Sequence, residues 1–398
     1  MIRWREAERE GVAAPAAAAA LLRQALAARP DDSNLHLKVA LLALDRFDFR
    51  AAANGFEEVL RLEPQTPFVR PQLAGCYNML EQPGRALGVL ADAPGAQQER
   101  GIALEALRRY TEAEAEYRAV LAADPHNRQA CRRLCRLLRK ADRRRDLLAT
   151  CETLAERGVR HTQLLYDWGI ALALNGEIER ARAILLDPRR IAAEPLPAPD
   201  PWEGPAEFNA ALAEEIMGNP DRLSDFVAAE AANRGSSRVH SLLSGRRPDI
   251  MRGLFRAIEA AVDSYGVEAA TGFDPWPEAR PRSARLNAWG LIQRGADYEE
   301  WHMHRDGWLS GVYYVQVPPG ISAEGEGRGC IEFGPPEALE ALVPGIVPRR
   351  RFAPREGLLL LAPSHYPHRT IPTGSDRLRI SFAFDVVPEA SAPAMRTA

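Results

Sequence analysis

From about residue 8 to residue 187, apolar positions recur three and four apart among Ala, Leu, Arg and Glu, and the period-two alternation of strands is nearly absent. This pattern predicts an all-helical region. Prolines punctuate it: Pro30 and Pro64 lie 34 apart, and Pro94 and Pro125 follow after 30 and 31 residues, a spacing that predicts stacked helix pairs. From Asp187 to Pro205 six prolines, beginning at Pro188, interrupt the periodicity at a density helices do not tolerate, so 188–205 reads as a linker. Helical spacing returns in Glu207 to Glu215 and Ile250 to Tyr265. After Ser283 the apolar runs become short, β-branched and aromatic, and are bounded by turn residues: Leu286 to Ile292, Leu309 to Val317, Cys330 to Phe333, Leu358 to Leu361 and Leu378 to Val387. Short strands without long helices between them imply an antiparallel sandwich or barrel, with the preceding helices covering one sheet. The expected class is therefore α+β in two domains: a helical repeat domain over 1–187, and a second domain over 206–388 with a helical lead-in (206–283) and a β-barrel (284–388). A flexible tail is expected over 389–398.

Composition narrows the class of partner. The chain has 398 residues, 46% hydrophobic and 26% charged, with a formal net charge of −3, the profile of a folded globular protein. The Arg-rich run from Arg132 to Arg145 alternates with apolar residues at helical spacing and lacks aromatics for base stacking, so neither nucleic acid nor a membrane is expected as a partner. Five cysteines, Cys76, Cys131, Cys135, Cys151 and Cys330, form no CxxC pair and read as reduced, buried small hydrophobes. The charged N-terminus does not read as a signal peptide, and a cytoplasmic location is expected.

Between the prolines, small residues and aromatics fall at fixed offsets: Ala40, Ala52 and Phe56 before Pro64; Gly101, Ala113 and Tyr117 before Pro125; then Trp168, Gly169, Leu172 and Ala181. These positions resemble the tetratricopeptide repeat. The match implies three to five repeats, with the unit around Pro94 short, forming an α-solenoid whose concave groove holds a peptide or protein partner.

The chemistry concentrates in the strand-rich part. Trp301-His302-Met303-His304-Arg305-Asp306 leads into the strand Leu309 to Val317, and His368 follows the strand Leu358 to Leu361. Extended chain sends residues two apart to one face, so His302, His304 and Asp306 share a side. Two of them with His368 make a mononuclear metal site of the kind that leaves coordination positions open on iron. In the run from Asp376 to Phe384, alternation sends Leu378, Ile380, Phe382 and Phe384 to one face, and Arg379 and Ser381 to the other. A guanidinium fork beside a hydroxyl suits a carboxylate. One of Tyr313 and Tyr314 must face inward beside the metal, Asn287 and Trp289 share a strand face that lines or fills the pocket, and His365 is placed less well than His368 for a ligand.

These residues together resemble the 2-oxoglutarate/Fe(II)-dependent dioxygenases. More narrowly, WHMHRDGWLSGVYYVQVPPG, GCIEFGPP and LLLLAPSHYPHRTIPTGSDRLRISFAFDV resemble a bacterial subfamily often fused to tetratricopeptide repeats. The resemblance implies a double-stranded β-helix (jelly roll) with flanking helices. It further implies iron held by His304, Asp306 and His368, 2-oxoglutarate anchored by Arg379 and Ser381 with Tyr313 or Tyr314 near it, and ascorbate as an accessory reductant. Subfamily members read His-x-His-Pro here, which makes His302 with His304 the alternative proximal pair. Ligand chemistry favours His304 with Asp306, because a carboxylate keeps the iron site neutral enough to accept an anionic co-substrate. The function implied is oxidative decarboxylation of 2-oxoglutarate coupled to hydroxylation of a peptide or protein recruited by the repeats. Two other readings stay open: a non-catalytic repeat scaffold with a metal-free barrel, and a small-molecule hydroxylase.

Overall fold

The computed structural model describes residues 1–5, 15–66, 68–91, 93–223, 232–266 and 272–389. The expected tail, Glu389 apart, lies outside them. The chain forms two compact units, residues 10–143 and residues 1–9 with 144–398. No described helix is long and apolar enough to cross a membrane.

The first unit is helical: α1 (Pro15–Ala28), α2 (Ser33–Asp45), α3 (Phe49–Leu62), α4 (Val69–Met79), α5 (Pro83–Val89), α6 (Gln97–Ala106), α7 (Tyr110–Ala123) and α8 (Arg128–Lys140). Asp32, Asp48 and Asn127 cap α2, α3 and α8 by accepting from backbone N–H groups three residues on. The small residues expected at helix crossings are there. Ala40, Ala52, Phe56, Ala113 and Tyr117 are fully buried, and a Cβ on Gly101 would lie 2.6 Å from the Tyr117 ring, so only glycine lets α6 approach α7. Among the described residues, turns between successive helices carry positive φ at Phe47 (59°), Glu81 (57°) and Arg108 (60°), then at Asp142 (53°) and Gly176 (83°) further along the chain. The intervals are 34, 27, 34 and 34 residues, so the repeat is real and its short member is the one around Pro94.

The second unit begins with three helices of the same type, α9 (Arg144–Glu156), α10 (Thr162–Leu174) and α11 (Ile178–Leu185), followed by α12 (Pro205–Met217) and α13 (Pro248–Ser264). A short α14 (Glu337–Leu342) comes late in the chain. The strands are β1 (Arg3–Trp4), β2 (Ala192–Pro195), β3 (Arg222–Leu223), β4 (Asn233–Arg234), β5 (Ser237–Val239), β6 (Ser283–Gln293), β7 (Tyr298–Glu299), β8 (Leu309–Gln316), β9 (Ile331–Phe333), β10 (Arg350–Phe352), β11 (Leu358–Pro363), β12 (His368–Thr370) and β13 (Arg379–Pro388). The large sheet runs β2-β11-β8-β13-β6-β5-β3, with β1 added in parallel to β6. A small sheet, β10-β9-β12, is locked by Glu332, which is buried and takes Arg351 from one neighbouring strand and Arg369 from the other. As expected, the lead-in helices cover the outer face of the large sheet: Phe255 of α13 meets Phe382 edge-on at 5.5 Å, and Tyr313 donates to Asn209 of α12 at 2.6 Å.

Two expected boundaries differ from the structure. The division falls at residues 143 and 144 rather than at 187, because α10 and α11 are tied to the barrel. Thr162 donates to the Gly307 carbonyl at 2.7 Å, His365 bonds the Ile184 carbonyl at 2.9 Å, and Arg182 donates to the Ile346 carbonyl at 2.9 Å. Nor is 188–205 a linker, since β2 is an edge strand paired from Ala192 with Leu361 to Pro195 with Leu358. An edge leaves alternate N–H positions facing outward, which is where proline fits.

The left-handed turn residues of the helical unit carry a removable strain. Glycine at Glu81 or Arg108 relieves a conformation costing L-residues about 1–2 kcal/mol, less the extra entropy glycine loses on folding. Glu81→Gly and Arg108→Gly should each raise stability by about 0.5–1 kcal/mol in denaturant titrations, and Arg108→Ala, which keeps the Cβ, should not.

Candidate metal centre

Four long strands of the large sheet turn alternate residues toward the small sheet: Trp289, Leu291 and Gln293 of β6; Ser310, Val312 and Tyr314 of β8; Leu360 and Ala362 of β11; Arg379, Ser381 and Ala383 of β13. With residues of β7, β9 and β12 they enclose a pocket of about 70 Å³. It opens beside a wider cleft of about 620 Å³, and Arg238, Trp289, His302 and His304 line both.

His302, His304 and His368 meet at this junction, their nearest ring nitrogens all within 4.8 Å of one another. Backbone pairing brings them there. His302 and His368 exchange two hydrogen bonds at 3.0 and 2.9 Å as an isolated antiparallel bridge, and the His304 N–H donates to the Ser364 carbonyl at 3.0 Å. Each ring is then fixed through Nδ1: His302 on the Glu300 carbonyl at 2.7 Å, His368 on the Tyr366 carbonyl at 3.0 Å, and His304 on Asp385 Oδ1 at 2.7 Å. A carbonyl or carboxylate only accepts, so all three Nδ1 atoms carry hydrogen and Nε2 is the free position. The Nε2 atoms of His304 and His368 face each other at 3.2 Å. Two lone pairs at that distance repel unless a proton or a cation lies between them. The donor set therefore fits a metal ion, each imidazole being oriented by a polar partner behind it.

Asp306 is not part of this group. It is exposed on the lining of the outer cleft, because the chain stops being extended after His304 and bends at Arg305 and Asp306. The expected same-face argument therefore holds for His302 and His304 and fails one step later. Tyr314 lines the pocket, whereas Tyr313 points out to Asn209 of α12. Trp289 lines it and stacks on His304 at 5.6 Å, but Asn287 is exposed outside it. Arg379 and Ser381 are both buried and both line the pocket. His365 serves the α11 contact instead.

Arg379 sits at the far end with its guanidinium held in place. Nε donates to Gln293 Oε1 at 3.0 Å, one terminal nitrogen reaches the same oxygen, and the other donates to the Gly329 carbonyl at 2.8 Å. Gln293 is itself fixed by donating to Ser236 at 2.8 Å. Arg379 forms no ion pair among the described residues, and burial holds its pKa below the ordinary value. Glu299, on the same wall, pairs with Arg238 at 3.0 Å, and burial raises its carboxyl. Sequence reading missed four of these residues. Asp385 and Gln293 were legible, since each continues the alternation of Arg379, Ser381 and Ala383, or of Trp289 and Leu291. Arg238 and Glu299 lie on three- and two-residue strands that carry no pattern of their own.

The family comparison agrees with this geometry. Residues 287–385 match the model of the family described as "Putative 2OG-Fe(II) oxygenase". The likeness to that family is confined to this segment. No curated protein sequence matches the chain. Similar solved structures include a Pseudomonas putida prolyl-4-hydroxylase, at 14% identity over 53% of this chain and 99% of that one, with a TM-score of 0.34. A prolyl hydroxylase from Trichoplax adhaerens, in complex with a hypoxia inducible factor peptide fragment, follows at 14% identity, 55% and 90% coverage and a TM-score of 0.35. A tetratricopeptide repeat protein from Parabacteroides merdae aligns at 16% identity over 43% of this chain and 70% of that one, with a TM-score of 0.35.

Burial within the strand-rich unit sets how the histidines titrate. It pushes His302 down to about 3, with the charge of His304 adding to the effect, and His365 down to about 4; it takes His368 well below the ordinary value. For His304, burial lowers the pKa, but Asp385 and Glu299 outweigh it and hold the ring above the usual imidazole value. Three depressed bases stabilise the fold above the unfolded pKa near 6.5, and lose that contribution as pH falls toward their folded values. His304 works in the opposite sense, contributing below 6.5 and losing it as pH rises through its own raised value. The metal-free protein should thus lose stability between pH 6.5 and 4 at roughly 1 kcal/mol per pH unit for each depressed histidine. Guanidinium unfolding at pH 7, 6 and 5 measures this slope. His365→Gln, which keeps a donor for Ile184, should shallow it by about one proton.

Proposed function

We propose that the protein is an Fe(II)- and 2-oxoglutarate-dependent dioxygenase in which His302, His304 and His368 hold the metal, and Arg379 with Ser381 anchors the distal carboxylate of 2-oxoglutarate. The observation that carries this reading is the convergence of three oriented Nε2 atoms at the mouth of a pocket whose far end is a buried, unpaired arginine. A guanidinium has five N–H donors, and three of those of Arg379 are committed to Gln293 and Gly329. The remainder suit an anionic oxygen, and the committed ones hold the fork in place before the ligand arrives. Tyr314 and Ser381 add hydroxyls on the same wall.

When bound, iron would activate dioxygen, the oxidant, with 2-oxoglutarate supplying two of the electrons as it is decarboxylated to succinate. The chain's own part is to present three neutral nitrogens on one side of the metal, keep the co-substrate's charged tail against Arg379, and bury the reacting centre under Trp289, Leu291 and Phe333. Hydroxylation of a polypeptide is the substrate class we favour. The outer cleft is wide and mixed in character, with Tyr166, Trp301 and Met303 beside Arg234 and Glu300. Tyr166 comes from α10, a repeat-type helix within the oxygenase unit, so a repeat helix supplies part of the wall where substrate would lie. The buried cysteines suit the reducing conditions of a cytoplasmic setting.

Anaerobic titration of the purified protein with Fe(II) and then 2-oxoglutarate should give a weak visible charge-transfer band. His302→Ala, His368→Ala and Arg379→Ala should abolish or strongly weaken it, and Asp306→Ala should leave it intact. Absence of a band and of bound metal in the parent protein would overturn the oxygenase reading. Loss in Asp306→Ala with retention in His302→Ala would restore the carboxylate ligand.

A further inference from the structure

Among the described residues, the metal-binding group contains no carboxylate. Three neutral imidazoles leave a divalent cation with its full charge, in a pocket that already holds the unpaired cation of Arg379. The nearest compensation lies one bond removed. Asp385 is buried, 2.7 Å from His304 Nδ1, and the same oxygen accepts from the Ser310 hydroxyl at 2.6 Å, which in turn meets Ser364 Oγ at 2.6 Å. The other two histidines face neutral carbonyls instead. The pocket around Asp385 is built closely. A Cβ on Gly307 would lie 2.4 Å from Ser364 Oγ and 3.3 Å from Asp385. On its open faces the His304 ring is fixed by Trp289 at 5.6 Å and by His368 at 5.0 Å, so it cannot turn away from the carboxylate without displacing both neighbours.

We infer that Asp385 is a positioning residue for the metal centre, supplying through His304 the negative charge that a carboxylate ligand would bring directly. A carboxylate accepting from Nδ1–H raises the electron density at Nε2 and fixes the ring's tautomer and direction. His304 is thereby the strongest donor of the three, and the ligand set is asymmetric although its members are chemically alike. This inference rests on the proposal that the three histidines bind metal, and goes beyond it by assigning unequal roles.

Asp385→Asn separates charge from shape, because the amide oxygen still accepts from Nδ1–H and Ser310. The full-length metal-free protein and this variant are titrated with Co(II), followed by its visible ligand-field absorption, with far-UV circular dichroism as the control for folding. The expected result is Co(II) binding weakened roughly 10- to 100-fold, the range typical for loss of such a partner, with a shifted absorption band and an unchanged dichroism spectrum. Affinity within twofold of the parent protein would overturn the inference. A parent that binds no Co(II) would instead remove the metal reading on which it rests. A second measurement needs no substitution: in the parent protein loaded with Zn(II), the Nδ1 nitrogen-15 resonance of His304 should move toward the imidazolate position relative to those of His302 and His368. Three equivalent resonances would overturn the inference even if Asp385→Asn failed to fold.

Discussion

The pocket beneath the candidate metal centre depends on the opposition of two faces in four neighbouring strands. β11, β8, β13 and β6 are hydrogen-bonded in that order, so their alternate residues stack into two continuous surfaces. One surface is apolar and lies under the lead-in helices, with Phe382 and Phe384 buried there. The other carries Trp289, Gln293, Tyr314, Arg379 and Ser381 into the pocket. Slipping one strand by a single residue would exchange its two sets and bury Arg379 among the helices. Register is held partly by what is missing: a Cβ on Gly311 would come within 2.4 Å of the Phe384 ring, and one on Gly290 within 3.2 Å of Ile216.

That dependence explains what could be read from the residues alone. The five strands expected after Ser283 are found, with ends shifted by no more than three residues. The division of β13 into an Arg379 and Ser381 face and an Ile380 and Phe382 face was legible because a period of two needs no tertiary information. The grouping of His302 and His304 with His368 was not, because it forms where the strand has ended. The path of the chain after His304 is set by pairing with Ser364 and His368, about sixty residues away. Ligand preference pointed to Asp306, but the backbone bend took it to the surface. The carboxylate that does reach the site arrives on the same face as Arg379, beyond the point where the alternation was followed. The expected linker failed for a similar reason. Proline density argues against helix, yet it does not argue against an edge strand, and only the partner β11 decides between strand and coil.

The pocket's charges fall into two kinds. Arg238 with Glu299, and His304 with Asp385, are each compensated locally. Arg379 is not, although it is 2% exposed and surrounded by neutral acceptors. Burying an arginine against amide and carbonyl oxygens alone carries a desolvation cost that neutral hydrogen bonds only partly offset. Such an arrangement persists where an anion completes it. Gln293 holds the guanidinium still through its amide oxygen while leaving two of the five N–H groups uncommitted.

The division of the chain bears on how the cleft outside that pocket is walled. The last repeat pair, α10 and α11, is built into the strand-rich unit through Thr162, Ile184 and Arg182, and α10 places Tyr166 in the cleft beside His302 and His304. His161 fixes the start of that helix by accepting from Leu164 N–H at 3.0 Å, so the position of Tyr166 is set by the cap, the Thr162 contact and the buried face of α10 together. The last repeat pair thus shapes the wall of the cleft beside the histidines, and a change in the cap or in the Thr162 contact would be felt there through Tyr166.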